Sequence, residues 1–256
     1  MDSEFLQKFR SDPFECSKSY DAGFALVLVG NYDLFSDFSI GVVIQVYLTL
    51  CCALAASAAG AYLHILMNIG GFLTMMGCFG SIMGLLSMPP YEEKKRFGLL
   101  MAASAFEGAS IGPLIELAIE FDSSILVTAF VGTAIAFACF SGAALLAKRR
   151  EYLYLGGLLS SGLSILIWLQ FASSIFGQST AGLKIELYLG LLVFIGYMIY
   201  DTQEILERAY HGEMDYVKHA LTLFTDFLAV FVRILIIMIK NSSEKSEDKR
   251  RKKKSR

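Results

Sequence analysis

Seven apolar runs, each about as long as the hydrocarbon core of a bilayer, set what this chain of 256 residues can fold into. They are Val42 to Met67, Ile69 to Met88, Phe97 to Phe121, Ser124 to Ala147, Tyr152 to Phe176, Ile185 to Ile205 and Ala220 to Ile239. A spanning helix needs about 20 apolar residues. Inside a membrane each backbone N–H and C=O must find its partner within the protein, and a helix does that within one segment. Hydrophobic residues make up 55% and charged residues 18%, a balance foreign to a soluble domain. The connectors are short and polar, leaving no room for a soluble domain between runs. The expected fold is therefore an all-α integral membrane protein, a bundle of about seven transmembrane helices over residues 42–240. An atypical segment, 1–41, precedes it and a basic tail, 241–256, follows it.

The connectors suggest a topology. PPYEEKKRFG and AKRREY are basic and belong in the cytosol, whereas NIGG, EFDSS and GQSTAG lack Lys and Arg and fit the other side. Alternation then puts the loop ERAYHGEMDYVKH in the cytosol. The tail conflicts with this. Seven full spans place it outside, yet its basic run, with Lys252, Lys253 and Lys254, argues for a cytosolic C-terminus. The ending Lys253-Lys254-Ser255-Arg256 also has the form of a dilysine retrieval signal. Either the last run crosses fully against the charge rule, or it re-enters and returns. Upstream, FALVLVGNYDLFSDFSIGVVI is apolar but interrupted by Asp33 and Asp37, which fits an irregular or interfacial segment. Small residues, including Gly80 and Gly84 in a GxxxG and Gly156, Gly157, Ser160 and Ser161, are expected to permit close helix contacts.

Two carboxylates stand out against the apolar background. Asp201 and Asp226 lie in consecutive runs joined by a short loop, so the hairpin brings them to similar depth. A charge at bilayer depth costs about 3 kcal/mol or more without a partner or a wet cavity. Two carboxylates in one low-dielectric site resist joint ionisation. Sharing one proton they clamp their helices; without it they repel unless a cation enters. Calcium takes oxygen ligands, and two carboxylates hold it only weakly, which suits a leak. Glu107, Glu116 and Glu120 in the third run extend an acidic path, with Glu120 read as a solvated helix end. Arg233 lies two turns beyond Asp226, too far to pair with it, and balances charge with an acid on another helix such as Glu107 or Glu116. His64, His211 and His219 show no metal-ligand spacing; His219 could sense pH near the aspartates, and a surface histidine is the default reading. Cys51, Cys52, Cys78 and Cys139 sit in apolar runs as small hydrophobes.

The segments VYLTLCCALAASAAGAYLH, FEGASIGPLIELAI, TAFVGTAIAFACFSGAALLAKRREYLYLGGLLSSGLS, DTQEI and HGEMDYVKHALTLFTDF resemble the Bax inhibitor-1 family, the transmembrane Bax-inhibitor-motif proteins, and plant members most. The resemblance runs from Val46 to the C-terminus. It implies an endoplasmic-reticulum membrane protein that suppresses stress-induced cell death. It also implies a pH-sensitive calcium leak with a paired-aspartate sensor, matching Asp201 and Asp226, and calmodulin binding near the C-terminus. Residues before Val46 depart from the family's polar N-terminus. Bacterial relatives carry an arginine at the end of the second span that latches one aspartate; here the nearest basic residues are Lys94, Lys95 and Arg96, and none is assigned as the latch.

No enzymatic activity is expected. Tyr200-Asp201 matches one motif of intramembrane aspartyl proteases, but Leu223-Phe224-Thr225-Asp226 lacks the GxGD of the other. A seven-helix receptor lacks a ligand domain and a coupling motif. The rival function is a non-conducting interaction protein that suppresses death through partner membrane proteins. Expected partners are membrane lipids, calmodulin through the basic C-terminal region, and death-regulatory membrane proteins, with no nucleic acid. No cofactor is expected, calcium being the permeant ion.

Overall fold

The computed structural model describes residues 37–147, 152–177, 180–212 and 215–254. Residues 1–36, most of the segment set apart at the N-terminus, lie outside the described residues. Seven helices follow: α1 (Asp37–Met67), α2 (Phe72–Ser87), α3 (Glu93–Phe121), α4 (Ser123–Leu146), α5 (Leu155–Phe176), α6 (Thr180–Tyr210) and α7 (Tyr216–Lys254). There is no strand among the described residues, and each apolar run became a helix.

Six of the helices are long and apolar enough to cross a membrane. The exception is α2, whose 16 residues give about 24 Å against a core of about 30 Å. The second run is thus shorter as a helix than as a stretch of sequence. Gly70 and Gly71 start it late, with the Gly70 amide donating to Nδ1 of His64 at 2.7 Å. Pro89 and Pro90 stop it, because proline bars the helix at the residue before it. At the α3–α4 junction Asp122 accepts from the Ser124 amide at 2.9 Å and caps α4. That amide holds the Asp122 carboxyl below the usual carboxylate range.

The last helix is the core. Half of the α7 span is buried within the bundle, 50% against 11% for α5. It packs on α1, α3, α4 and α6, while α5 leans on α6. Phe227 and Phe231 stack edge to face with Phe130, and Phe227 does so with Phe137, tying α7 to α4. The sequence expectation that the most polar run lies inside the bundle holds for a physical reason. A helix carrying Asp226 and Arg233 is costly against lipid and tolerable against protein.

Close helix contact falls not at the GxxxG of Gly80 and Gly84 but at the one formed by Gly108 and Gly112. A Cβ on Gly80 would meet open space, and one on Gly84 only the Leu99 side chain at 3.5 Å. In the fifth helix a Cβ on Gly156 would press on Tyr200, but one on Gly157 would touch nothing. Ser160 and Ser161 bond carbonyls of their own helix. The tight crossing is α1 on α3. There Gly60 faces the Ala105 carbonyl and Gly108 faces the Ser57 carbonyl, each nearer than any Cβ permits. Backbone cannot swing aside, so Gly108→Ala is expected to destabilise by about 1–3 kcal/mol. Gly84→Ala should be near neutral. Thermal unfolding midpoints of the two variants in detergent check this, and equal midpoints would refute it.

α7 is one unbroken helix, so the alternative of re-entry and return does not occur. Its start shares an end of the bundle with Arg96, as described below. Farther along, Lys184 Nζ on α6 pairs with Glu244 on α7 at 3.3 Å, at the opposite end. The expectation that both the α2–α3 connector and the tail are cytosolic is therefore corrected, since they leave the bundle from opposite ends. The tail itself continues as helix to Lys254, its Lys, Glu and Arg being good helix formers with no Gly or Pro among them. The side chains of Lys252, Lys253 and Lys254 are outside the description. Protease treatment of sealed microsomes should digest one of two tags, in the 88–92 connector or after Arg256, and spare the other. Digestion of both would contradict this arrangement.

Candidate functional site

The α6–α7 hairpin builds the site. Gly212 turns the chain with φ 82°, a left-handed conformation that glycine adopts without strain. Asp201 lies nine residues before the end of α6 and Asp226 ten residues after the start of α7. Both are therefore about 14 to 15 Å from the turn along their helices. Their carboxylates lie near enough to act on each other directly, and the residues are only 7% and 5% exposed. Asp226 Oδ2 has no hydrogen-bond partner among the described residues. The two aspartates singled out in the sequence thus form one buried pair.

A cavity of about 160 Å³ between the turn-side parts of α6 and α7 reaches Asp201, lined also by Glu204, Ile205, Arg208, Lys218, His219 and Thr222. That is room for several waters. His219, read from sequence as a surface residue, is buried on this lining. It lies seven residues, about two turns, before the buried Asp226, so it follows the interior face of α7. Glu204 and Arg208, one turn apart, pair at 2.6 Å on the rim.

Asp201, Thr202 and Gln203 are all buried. Successive residues of a helix point about 100° apart, so three in a row are buried only where neighbours surround the helix. Asp201 meets α7. Thr202 Oγ1 bonds Ser141 Oγ of α4 at 2.9 Å, and Ser141 is bonded in turn to the Tyr47 hydroxyl of α1. Gln203 Nε2 donates to the Ala144 carbonyl of α4 at 2.8 Å. This polar layer fixes the rotation of α6 and so aims Asp201 at Asp226. The sequence reading passed over Thr202, Gln203, Tyr47 and Ser141. Their signal was a triplet of polar residues within an apolar run.

The latch left open in the sequence has an answer. Arg96 makes a two-pronged ion pair with Asp215, both bonds 2.8 Å, and its Nε donates to the Leu85 carbonyl at 3.4 Å. Asp215 also accepts from the Lys218 amide at 3.1 Å, capping α7. Arg96 therefore joins the end of α2 and the start of α3 to the start of α7. Its partner is Asp215 and not a member of the acid pair.

The other charged candidates separate. Glu107 accepts from Cys78 Sγ at 3.2 Å and lines a cavity of about 320 Å³ between α2, α3 and α7, with Arg233 on the same lining. Glu116 sits nine residues later, half a rotation round α3. It is half exposed and lies 3.8 Å from Nε2 of His64. The expected acidic path through both is not continuous. Arg233 pairs with neither Glu107 nor Glu116; its Nη1 donates to the Ala229 carbonyl at 2.9 Å, and its guanidinium lies 4.4 Å from the Phe194 ring centroid. Cys51, Cys52 and Cys139 are exposed on the outer faces of their helices, and Cys78 is buried. Among the described residues no three His, Cys, Asp or Glu side chains gather as a metal site.

Residues 40–243 match the family described as "Inhibitor of apoptosis-promoting Bax1". The chain is 74% identical over 210 residues to Bax inhibitor 1 of Oryza sativa subsp. japonica, covering 82% of this chain and 84% of the rice protein. It is 64% identical over 241 residues to Bax inhibitor 1 of Arabidopsis thaliana, covering 94% and 95%. Bax inhibitor 1 of Homo sapiens is 39% identical over 210 residues, covering 80% and 88%. The match to the Arabidopsis protein, across 94% of this chain, takes in residues ahead of Val46. Six bilayer-length helices and these relatives make it a multi-pass membrane protein, and the chain belongs to the Bax inhibitor-1 family.

Proposed function

We propose that this chain suppresses stress-induced programmed cell death from the endoplasmic-reticulum membrane by acting as a pH-sensitive calcium leak, with Asp201 and Asp226 as sensor and gate. One observation carries the reading: two buried carboxylates that act on each other directly, one of which, Asp201, lines a cavity shared with Glu204, Arg208, Lys218 and His219. Sharing a proton, the pair holds α6 to α7. Losing it, two like charges repel in a low-dielectric setting, and a cation arriving through the cavity relieves the repulsion. Two carboxylates bind calcium weakly, as passage requires. No step calls for catalysis or for a resident cofactor. Calcium efflux from liposomes holding the purified chain tests the reading. Flux above that of empty liposomes supports it, and none at any pH between 5 and 8 removes the leak.

The charged extension of α7 past Lys240 favours a second role, as a docking element for calmodulin or for death-regulatory membrane proteins. A basic helix continuing an apolar one is the composition calmodulin binds. Docking there, and retrieval through Lys253 and Lys254, both require the tail in the cytosol. Calmodulin titrated against the full chain should bind weakly and only with calcium. A chain ending at Asn241 that binds equally would exclude the tail.

A further inference from the structure

Down the inner face of α7, four chemistry-bearing side chains recur every seven residues: His219, Asp226, Arg233 and Lys240. Seven residues fall 20° short of two full turns, so the four form one seam, about 10.5 Å between neighbours. The acid pair accounts for the first half of that seam and leaves the second unexplained.

Arg233 is held deliberately. The Ala229 carbonyl accepts one of its N–H groups and the Phe194 ring lies under its guanidinium. Gly190 of α6 makes the room, since a Cβ there would collide with the guanidinium. The carboxylate of Glu186, one turn earlier on α6, acts on it electrostatically. An arginine side chain does not give up its proton, so this charge is permanent. It borders the cavity that also holds Glu107, whose carboxylate is engaged by Cys78. Among the described residues no ion pair joins Arg233 to Glu107, so the carboxylate in the cavity does not pin the guanidinium. One step on, Lys240 Nζ is buried with no hydrogen-bond partner among the described residues.

We propose that Arg233 is the charge that bars cations from the Glu107 cavity, and so sets the height of the leak beyond the acid pair. The proposal rests on the conduction reading for its second half only. A fixed positive charge in a low-dielectric cavity raises the energy of a divalent ion twice as much as that of a monovalent one. Neutralising it therefore multiplies calcium passage by the square of the factor for potassium.

Calcium and potassium efflux are measured from liposomes holding full-length wild type, Arg233→Gln or Arg233→Lys. Glutamine keeps a donor for the Ala229 carbonyl. With Arg233→Gln, calcium flux should rise about tenfold and potassium flux about threefold, while Arg233→Lys stays near wild type. An equal rise for both ions signals a loosened bundle and overturns the proposal, as does no rise. A second arm needs no conduction. With Cys16, Cys51, Cys52 and Cys139 replaced by alanine, Cys78 is labelled with cationic and anionic methanethiosulfonates. Arg233→Gln should raise the cationic-to-anionic rate ratio about tenfold. An unchanged ratio overturns the proposal. A wild type that passes no calcium removes the leak, while a shifted ratio still establishes that Arg233 keeps cations from the cavity.

Discussion

Replacing Arg96 with alanine is expected to destabilise the bundle by about 3–5 kcal/mol, the loss when one member of a buried ion pair is removed and the other stays behind. Here the side chains are 4% and 11% exposed, so water replaces little of what is lost. The pair is two-pronged and joins three elements: the end of α2 through the Leu85 carbonyl, the start of α3, and the cap of α7. Lysine keeps the charge but not the fork, so Arg96→Lys should lose an intermediate amount. Replacing both partners, Arg96→Met with Asp215→Leu, should recover much of the loss because no charge remains stranded. Thermal unfolding of the purified chain in detergent measures the series. An Arg96→Ala midpoint equal to wild type would show that the pair does not hold the helices. Loosening this corner also frees the start of α7, the helix that carries Asp226 to its partner.

The bundle and the acid pair were legible in the sequence because both are strong departures from average composition. Seven long apolar runs have one solution in a membrane, and a carboxylate inside such a run must find a reason to be there. What stayed hidden depended on rotation and on three-dimensional neighbours. The α1–α3 crossing rests on Gly60 and on Gly108, which with Gly112 forms a second GxxxG that the sequence reading passed over, while the GxxxG of α2 contacts little; the two motifs look alike and only their rotation separates them. Glu107 and Glu116 look alike in sequence yet lie half a rotation apart on α3, and only Glu107 enters the cavity beside Arg233. His219 looked like a loop residue because it is near the turn, but its register with Asp226 puts it inside. Arg96 was one of three consecutive basic residues. Only the fold shows that it, and not Lys94 or Lys95, meets Asp215.

The acid pair carries the second large effect. Asp201→Asn or Asp226→Asn leaves an amide that donates to the remaining carboxylate, so the helices stay clamped with no shared proton to lose. The side chains that face the pair or its cavity, namely Tyr197, Glu204, Arg208, Lys218 and His219, remain in place. His219→Gln serves as the control for the imidazole that lines the same cavity. The decisive measurement is calcium efflux against pH, from 5 to 8, in liposomes holding wild type, the two asparagine variants or His219→Gln. Flux through wild type should rise about tenfold or more as the pair gives up its proton with rising pH. The His219→Gln protein should keep that rise, and both asparagine variants should stay low and flat. An asparagine variant with the wild-type pH profile would contradict the assignment of Asp201 and Asp226 as sensor and gate.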